Sequence, residues 1–185
     1  MDKNTAVGGR ALRYTTTGSN NAAIGQEAGR ENTTGEQNLY IGTFAGSNNL
    51  TGNDNTLIGV SAMSGFPSGG TAVDRVTAIG GQALNLNEAD DVIGIGYRAG
   101  NVNTTGTILA IGNFALENNT TGNVNVAVGY NALKFNTTGE ANIAIGNASM
   151  ENNTTGIQNV AIGANTLQDN TTGSSNTAIG RSALL

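Results

Sequence analysis

Few residues in this chain have the types and spacing that chemistry needs. The densest titratable group is Glu88, Asp90 and Asp91, inside Asn87-Glu88-Ala89-Asp90-Asp91. Carboxylates so close together could offer oxygen ligands to Ca²⁺, but their spacing is not that of an EF-hand loop. The chain has no His and no Cys, which removes Ser–His and Cys–His pairs, thiolate metal sites and disulfides. Scattered carboxylates such as Glu27, Glu31, Glu117 and Glu151 read as a solvated face. A glycosidase-like carboxylate pair would need a cleft, and nothing in the pattern suggests one. Gly94-Ile95-Gly96 has no helix after it to complete a nucleotide loop. Asn-x-Thr at Asn32, Asn103, Asn136 and Asn170 matches a glycosylation sequon, yet each match falls inside a recurring turn and is read as its by-product. Tyr14, Tyr40, Tyr97 and Tyr130 read as scattered, with no aromatic stripe expected. The expectation is a protein that is not an enzyme and uses no cofactor.

Composition narrows the partners. Among 185 residues there are 28 Gly, one Pro (Pro67) and 4% aromatics, so one chain can bury only a thin core. The formal charge of −5, with Lys3 and Lys134 the only lysines, is wrong for binding a phosphate backbone, so no nucleic-acid partner is expected. No run approaches the length of a membrane span, and no membrane insertion is expected. The repeat starts by Asn4 with no signal peptide before it and stops within a unit at Leu185, which suggests a segment of something longer.

What must position these residues is a repeat. The triplet Ala-Ile-Gly or a variant places glycine at Gly8, Gly25, Gly42, Gly59, Gly80, Gly96, Gly112, Gly129, Gly146, Gly163 and Gly180. The successive spacings are 17, 17, 17, 21, 16, 16, 17, 17, 17 and 17. A turn, usually Asn-Thr-Thr-Gly, places a second glycine ten residues on, as at Gly18, Gly35 and Gly139; in the irregular middle Gly69 and Asp90 take that place. The residue before the landmark glycine is always β-branched: Val7, Ile24, Ile41, Ile58, Ile79, Ile95, Ile111, Val128, Ile145, Ile162 and Ile179. Two residues earlier runs a second column (Thr5, Ala22, Leu39 to Thr177), which shares its face by the strand period of two. Between them, on the other face, runs a small column that is mostly Ala, from Ala6 to Ala178. A second short strand after the glycine is expected to carry Ala11, Ala28 and their equivalents, with Leu12, Leu84, Leu133 and the like next along.

Seventeen residues hold short strands and turns but no full helix. The fold class is therefore all-β, a parallel β-roll or β-solenoid of about eleven coils in a single repeat domain over 1–185, irregular around 60–108. Stacked coils would set like above like, building amide ladders through Asn4, Asn21, Asn38 and Asn55, through Asn125, Asn142, Asn159 and Asn176, and through Asn119, Asn136, Asn153 and Asn170. A register held over so many units distinguishes the chain from Asn/Gly/Thr-rich disorder. A coil so poor in large side chains is expected to need neighbouring copies.

Asn176-Thr-Ala-Ile-Gly-Arg-Ser-Ala-Leu184 and Asn159-Val-Ala-Ile-Gly-Ala164 resemble the head repeats of trimeric autotransporter adhesins, the YadA-like heads. The units carrying Asn-Thr-Thr-Gly are similar to repeats of phage and viral tail fibres. The resemblance covers Asn4 to Leu184, and the unit here is longer, its extra residues falling in the turn. It implies a left-handed parallel β-roll and a homotrimer around a common axis. On that mapping Ile24, Ile41, Ile58, Ile79, Ile95, Ile111, Val128, Ile145, Ile162 and Ile179 fill the roll interior and trimer core. It also implies an extracellular place, on a bacterial cell surface or a virion tail fibre.

The repeat breaks in three consecutive units. Four residues are added near Gly70–Arg75, Phe66 and Pro67 occupy the preceding turn, and the acidic cluster follows one unit later. Phe66, Pro67, Asp74, Arg75, Glu88, Asp90 and Asp91 are the candidate receptor-contact girdle, facing a host-surface glycan or protein; a tolerated insertion with locally repacked coils would look the same. The function expected is a structural or adhesive fibre segment that attaches to a host or cell surface or spaces a distal tip. An ice-binding or other lattice-binding solenoid using Thr105, Thr121, Thr138, Thr155 and Thr172 is the alternative, and a polysaccharide-degrading fibre enzyme a weaker one.

Overall fold

A computed structural model of the chain describes residues 3–65 and 72–185. Each repeat contributes one short strand: β1 (Thr5–Val7), β2 (Ala22–Ile24), β3 (Leu39–Ile41), β4 (Thr56–Ile58), β5 (Thr77–Ile79), β6 (Ile93–Ile95), β7 (Ile108–Ile111), β8 (Asn125–Val128), β9 (Ile143–Ile145), β10 (Val160–Ile162) and β11 (Thr177–Ile179). They pair in parallel in chain order to make one 11-stranded sheet. The register sets column on column, with Ala23 opposite Tyr40 and Ile24 opposite Ile41. The fold is an all-β parallel solenoid of about ten turns, and no helix among the described residues is long and apolar enough to cross a membrane.

Among the described residues the second strand expected after each landmark glycine is absent, and a tight run of turns stands there instead. The second and fourth residues after the glycine both adopt left-handed backbone, as in Arg10 (φ 61°) with Leu12 (φ 48°) and Asn131 (φ 58°) with Leu133 (φ 51°). Such alternation curls the chain and cannot make an extended strand. Its amides are nevertheless satisfied from coil to coil: Leu12 N donates to Ala28 O at 3.0 Å, Tyr14 N to Arg30 O at 3.0 Å, and Glu27 N to Gly9 O at 2.8 Å. The landmark glycine is required twice over. At Gly25 φ is +138°, and a Cβ would lie 2.5 Å from the carbonyl oxygen of Gly42 in the next coil.

The assignment of faces also differs from expectation. The roll interior is lined by the small column, with Ala23, Ala78, Ala110, Ala127, Ala144 and Ala161 fully buried. Ile24, Ile41, Ile58, Ile79, Ile95, Ile111, Val128, Ile145, Ile162 and Ile179 point outward and are half-buried or exposed. The reason is room. The facing turn run already brings Ala28, Ala83, Ala115, Leu84, Leu116 and Leu133 into the same narrow interior, leaving space for one methyl from the strand.

Exceptions to the Ala column are compensated in volume. Tyr40 is fully buried where Ala is usual, and Gly29 and Gly46 on either side of it stand where Leu or Met is usual. A Cβ on Gly29 would come within 2.6 Å of the Tyr40 ring. Conversely, Gly94 fills the Ala position because a Cβ there would meet Leu84 Cγ at 2.6 Å. Total volume is conserved across neighbouring coils, as a close-packed core demands.

Buried amides supply the rest of the interior. Asn21, Asn38 and Asn55 accept from the next coil's backbone: Asn38 N to Asn21 Oδ1 is 2.9 Å, Asn55 N to Asn38 Oδ1 is 3.0 Å, and Val76 N to Asn55 Oδ1 is 2.9 Å. There the first ladder stops, since Val76, Val92 and Ile108 replace the amide, and it resumes through Asn125, Asn142, Asn159 and Asn176. The second ladder extends further back than expected. It runs Asn87, Asn103, Asn119, Asn136, Asn153 and Asn170 with steps of 2.7, 2.9, 2.8, 2.8 and 3.0 Å. Each later amide also donates to its own turn, as Asn136 Nδ2 does to Gly139 O at 3.0 Å. In the first coils this ladder is missing because Tyr40 diverts it: Asn49 Nδ2 turns to the Tyr40 hydroxyl at 3.1 Å. Burial pushes that phenol's pKa well above its ordinary value, and the Asn49 amide only partly offsets the shift.

Candidate functional site

The proposed girdle is only partly assembled. Phe66 and Pro67 lie outside the described residues. Asp74, Arg75, Asp90 and Asp91 do come together on successive coils. Asn53 N donates to Asp74 Oδ1 at 2.7 Å, and Asp74 N donates to Asp90 Oδ1 at 2.9 Å. These bonds place Asp90 in the column after the turn glycine and correct the alignment that put it in the glycine's place. Ala89 takes that place, accepting from Asn87 Nδ2 at 2.7 Å as Gly106 O accepts from Asn103 Nδ2 at 2.7 Å. In the preceding coil Val73 does so, accepting from Asn55 Nδ2 at 2.7 Å; Gly69 lies outside the described residues.

Arg75 clamps Asp91 with two bonds, from Nε at 2.6 Å and from Nη2 at 3.0 Å, while Asp74 and Asp90 each stand at 3.9 Å. The hydrogen bond from Arg75, and then its charge, hold the Asp91 carboxyl below the usual range despite some desolvation. The same bond to Asp91 raises the Arg75 guanidinium above its ordinary value. Glu88 is exposed and, among the described residues, forms no ion pair with this cluster. The calcium reading of Glu88, Asp90 and Asp91 therefore has no geometric support: Arg75 occupies one carboxylate, a backbone amide binds another, and no group of three or more potential metal ligands occurs among the described residues. What remains is an exposed, single-centre ion-pair cluster of the kind that contributes little to stability.

Sequon asparagines are not available surface groups. Asn32, Asn103 and Asn136 are fully buried, and Asn170 is a rung of the second ladder. In the folded chain Asn103, Asn136 and Asn170 are ladder rungs, and Asn32 bonds its own turn through Gly35 O at 3.2 Å.

Two surfaces stand out. The first is the outer face of the sheet, an unbroken Val/Ile column beside a second column that mixes aliphatic residues with Thr5, Thr56, Thr77 and Thr177. Ile145 is 39% exposed, Ile162 38% and Ile143 38%. Ten steps of ~4.8 Å make this face about 50 Å long. Beside it, the coil of 16 residues between Gly96 and Gly112 lacks the left-handed corner residue that its neighbours carry as Asp91 and Val124. The gap is an apolar notch of ≈ 270 Å³ bounded by Ile93, Ile108, Leu109, Val124 and Val126. The other 16-residue coil, from Gly80 to Gly96, is short in its turn instead, where Asn87-Glu88-Ala89 does the work of Asn-Thr-Thr-Gly.

The second surface contradicts the expectation that no aromatic stripe exists. Tyr97 and Tyr130 both follow a landmark glycine directly, two coils apart, and Phe114 stands between them one residue further along its coil. Tyr97 and Phe114 meet edge to face with centroids 5.5 Å apart, and Phe114 and Tyr130 likewise at 5.9 Å. Lys134 Nζ lies 5.1 Å from the Phe114 ring centre and 5.2 Å from that of Phe135. Indexing every residue from its landmark glycine brings Tyr97 and Tyr130 into one column; viewing the four tyrosines as a set conceals it.

No family model, curated protein or solved structure matches the chain.

Proposed function

We propose that this solenoid is a segment of an attachment fibre, packed side by side with two further copies through the outer sheet face, which holds or spaces a contact with a host or cell surface. The observation that carries the reading is the outer Val/Ile column, kept apolar in all eleven strands although it lies outside the coil. With the aliphatic residues of the neighbouring column this stripe is about 50 Å long and at most on the order of 400 Å², in the range where the largest apolar patch of a protein is often functional. A partner that covers it must offer apolar groups at the same rise along its whole length, and another copy of this solenoid does so by construction. The resemblance to adhesin heads supports three copies, and the same reading places the chain outside the cell and gives it no catalytic role.

Sedimentation of the unmodified chain beside Ile111→Asp and Ile145→Asp variants tests this. Both substitutions lie outside the coil interior, so each variant keeps its β-sheet circular dichroism while losing the three-chain species. A single-chain species for the unmodified protein overturns the proposal. One observation favours a second reading: Thr105, Thr121, Thr138, Thr155 and Thr172 are exposed at one-coil spacing. With Ala89 in the glycine place, the row breaks at Glu88, and it is one column wide, which is poor geometry for a lattice. Thermal hysteresis in solution would favour it over the fibre.

A further inference from the structure

We infer that the column Tyr97, Asn113, Tyr130 and Asn147 is a binding track for a linear polysaccharide lying along the solenoid axis. The inference rests on the attachment reading and gives it a surface and a ligand class. Those four residues each follow a landmark glycine in successive coils, and all four are exposed. Tyr97 is 46% exposed and Tyr130 50%; Tyr14 and Phe135 are exposed too, but only Tyr97 and Tyr130 stand in one column two coils apart. Both lean on Phe114, at interplanar angles of 89° and 88°, so the half-buried Phe114 braces two rings about 10 Å apart along the axis.

A pyranose in a linear chain is about as long as one coil rise. Its apolar C–H face stacks on an aromatic ring, and its equatorial hydroxyls need donors and acceptors at the ring's edge. Alternating tyrosine and asparagine supplies both at the spacing of successive sugars. Polar groups beside the track are also incomplete. Of four shielded side-chain atoms without a hydrogen-bond partner among the described residues, two are Arg98 Nε and Asn131 Oδ1, the residues that directly follow Tyr97 and Tyr130. Both atoms are shielded and their side chains already bond Glu117 and Glu151, so the hydroxyl partners on the track are the exposed Asn113 and Asn147.

Other occupants fit less well. A protein partner would want a broad apolar centre, and this track is one column wide with amides between the rings. Nucleic acid is opposed by the net charge of −5. A cationic ligand finds the Phe114 ring already met by Lys134.

Affinity electrophoresis tests the inference on the intact chain, in gels containing dextran, laminarin, galactomannan or hydroxyethylcellulose. At least one polysaccharide should retard the protein. Tyr97→Ala with Tyr130→Ala should weaken that binding about ten-fold or more without changing the melting temperature by more than a few degrees. Tyr14→Ala, an exposed ring outside the column, should bind as the parent does. Absence of retardation in every gel, or retardation that survives the double substitution, overturns the assignment. Mass by light scattering on the same samples separates this from the fibre reading: a trimer that ignores sugars removes only the track, and a monomer with tyrosine-dependent binding removes only the trimer.

Discussion

Single residues in this chain are held by stacking as much as by their own coil. Asn136 illustrates it: its amide donates to Asn119 Oδ1 and Gly139 O, and its oxygen accepts from Asn153. Gly139 O keeps a second donor in Asn125 and Asn153 keeps Gly156 O, but Asn119 Oδ1 would lose its partner in a dry interior. Asn136→Ala should therefore cost about 2 kcal/mol in urea unfolding, most of it the orphaned acceptor. Asn152→Ala, at a part-exposed site, should stay within about 0.5 kcal/mol. Equal costs for the two would mean that the ladder is incidental. Glu27 gives a pH test. Burial pushes its carboxyl pKa up, but hydrogen bonds from Arg30 and Arg10 and their charges outweigh this and hold it below its ordinary 4.5. Its contribution is thus complete above that value and lost as pH falls through the lower folded value. Glu27→Gln should melt lower than the parent at neutral pH, with the gap closing in acid. A gap that persists at low pH would point to packing as the cause.

At the scale of one coil, the sequence disclosed the period, the strand, the glycine landmarks and the first amide ladder, because each follows from spacing alone. It did not disclose which strand face turns inward. Period two says only that the Ile and Ala columns oppose each other, and the usual preference for larger aliphatics inside is overridden by the turn run, which brings its own Leu and Ala columns into the narrow interior. The turn run reads as a strand in sequence because Ala-Leu carries no mark of left-handed backbone; Leu84 at φ 50° and Leu116 at φ 50° are conformations that propensity does not predict. Among candidate site residues, the meeting of Arg75 with Asp91 depended on where each irregular coil gains or loses residues, which spacing left ambiguous. The coil between Gly96 and Gly112 permits a direct test. Inserting one Asn after Thr107 should restore the missing corner and leave the melting temperature unchanged or higher. Inserting one residue after Leu109 should lower it sharply, because it puts the two halves of that strand out of phase and turns one of them to the wrong face. Similar effects at both places would contradict the register described here.

As a whole molecule, the solenoid is packed inside yet carries an unbroken Val/Ile column on one outer face. A lone chain would leave that face in water over its full length. Repeat architecture makes every coil depend on its neighbours, and side-by-side packing would extend that dependence to other chains. The central claim is that association, and the most direct test is the mass of the unmodified chain in solution by light scattering. The account predicts three times 18.6 kDa in a single species. A monodisperse particle of 18.6 kDa with intact β-sheet circular dichroism would contradict it, and the outer Ile column would then need a different explanation.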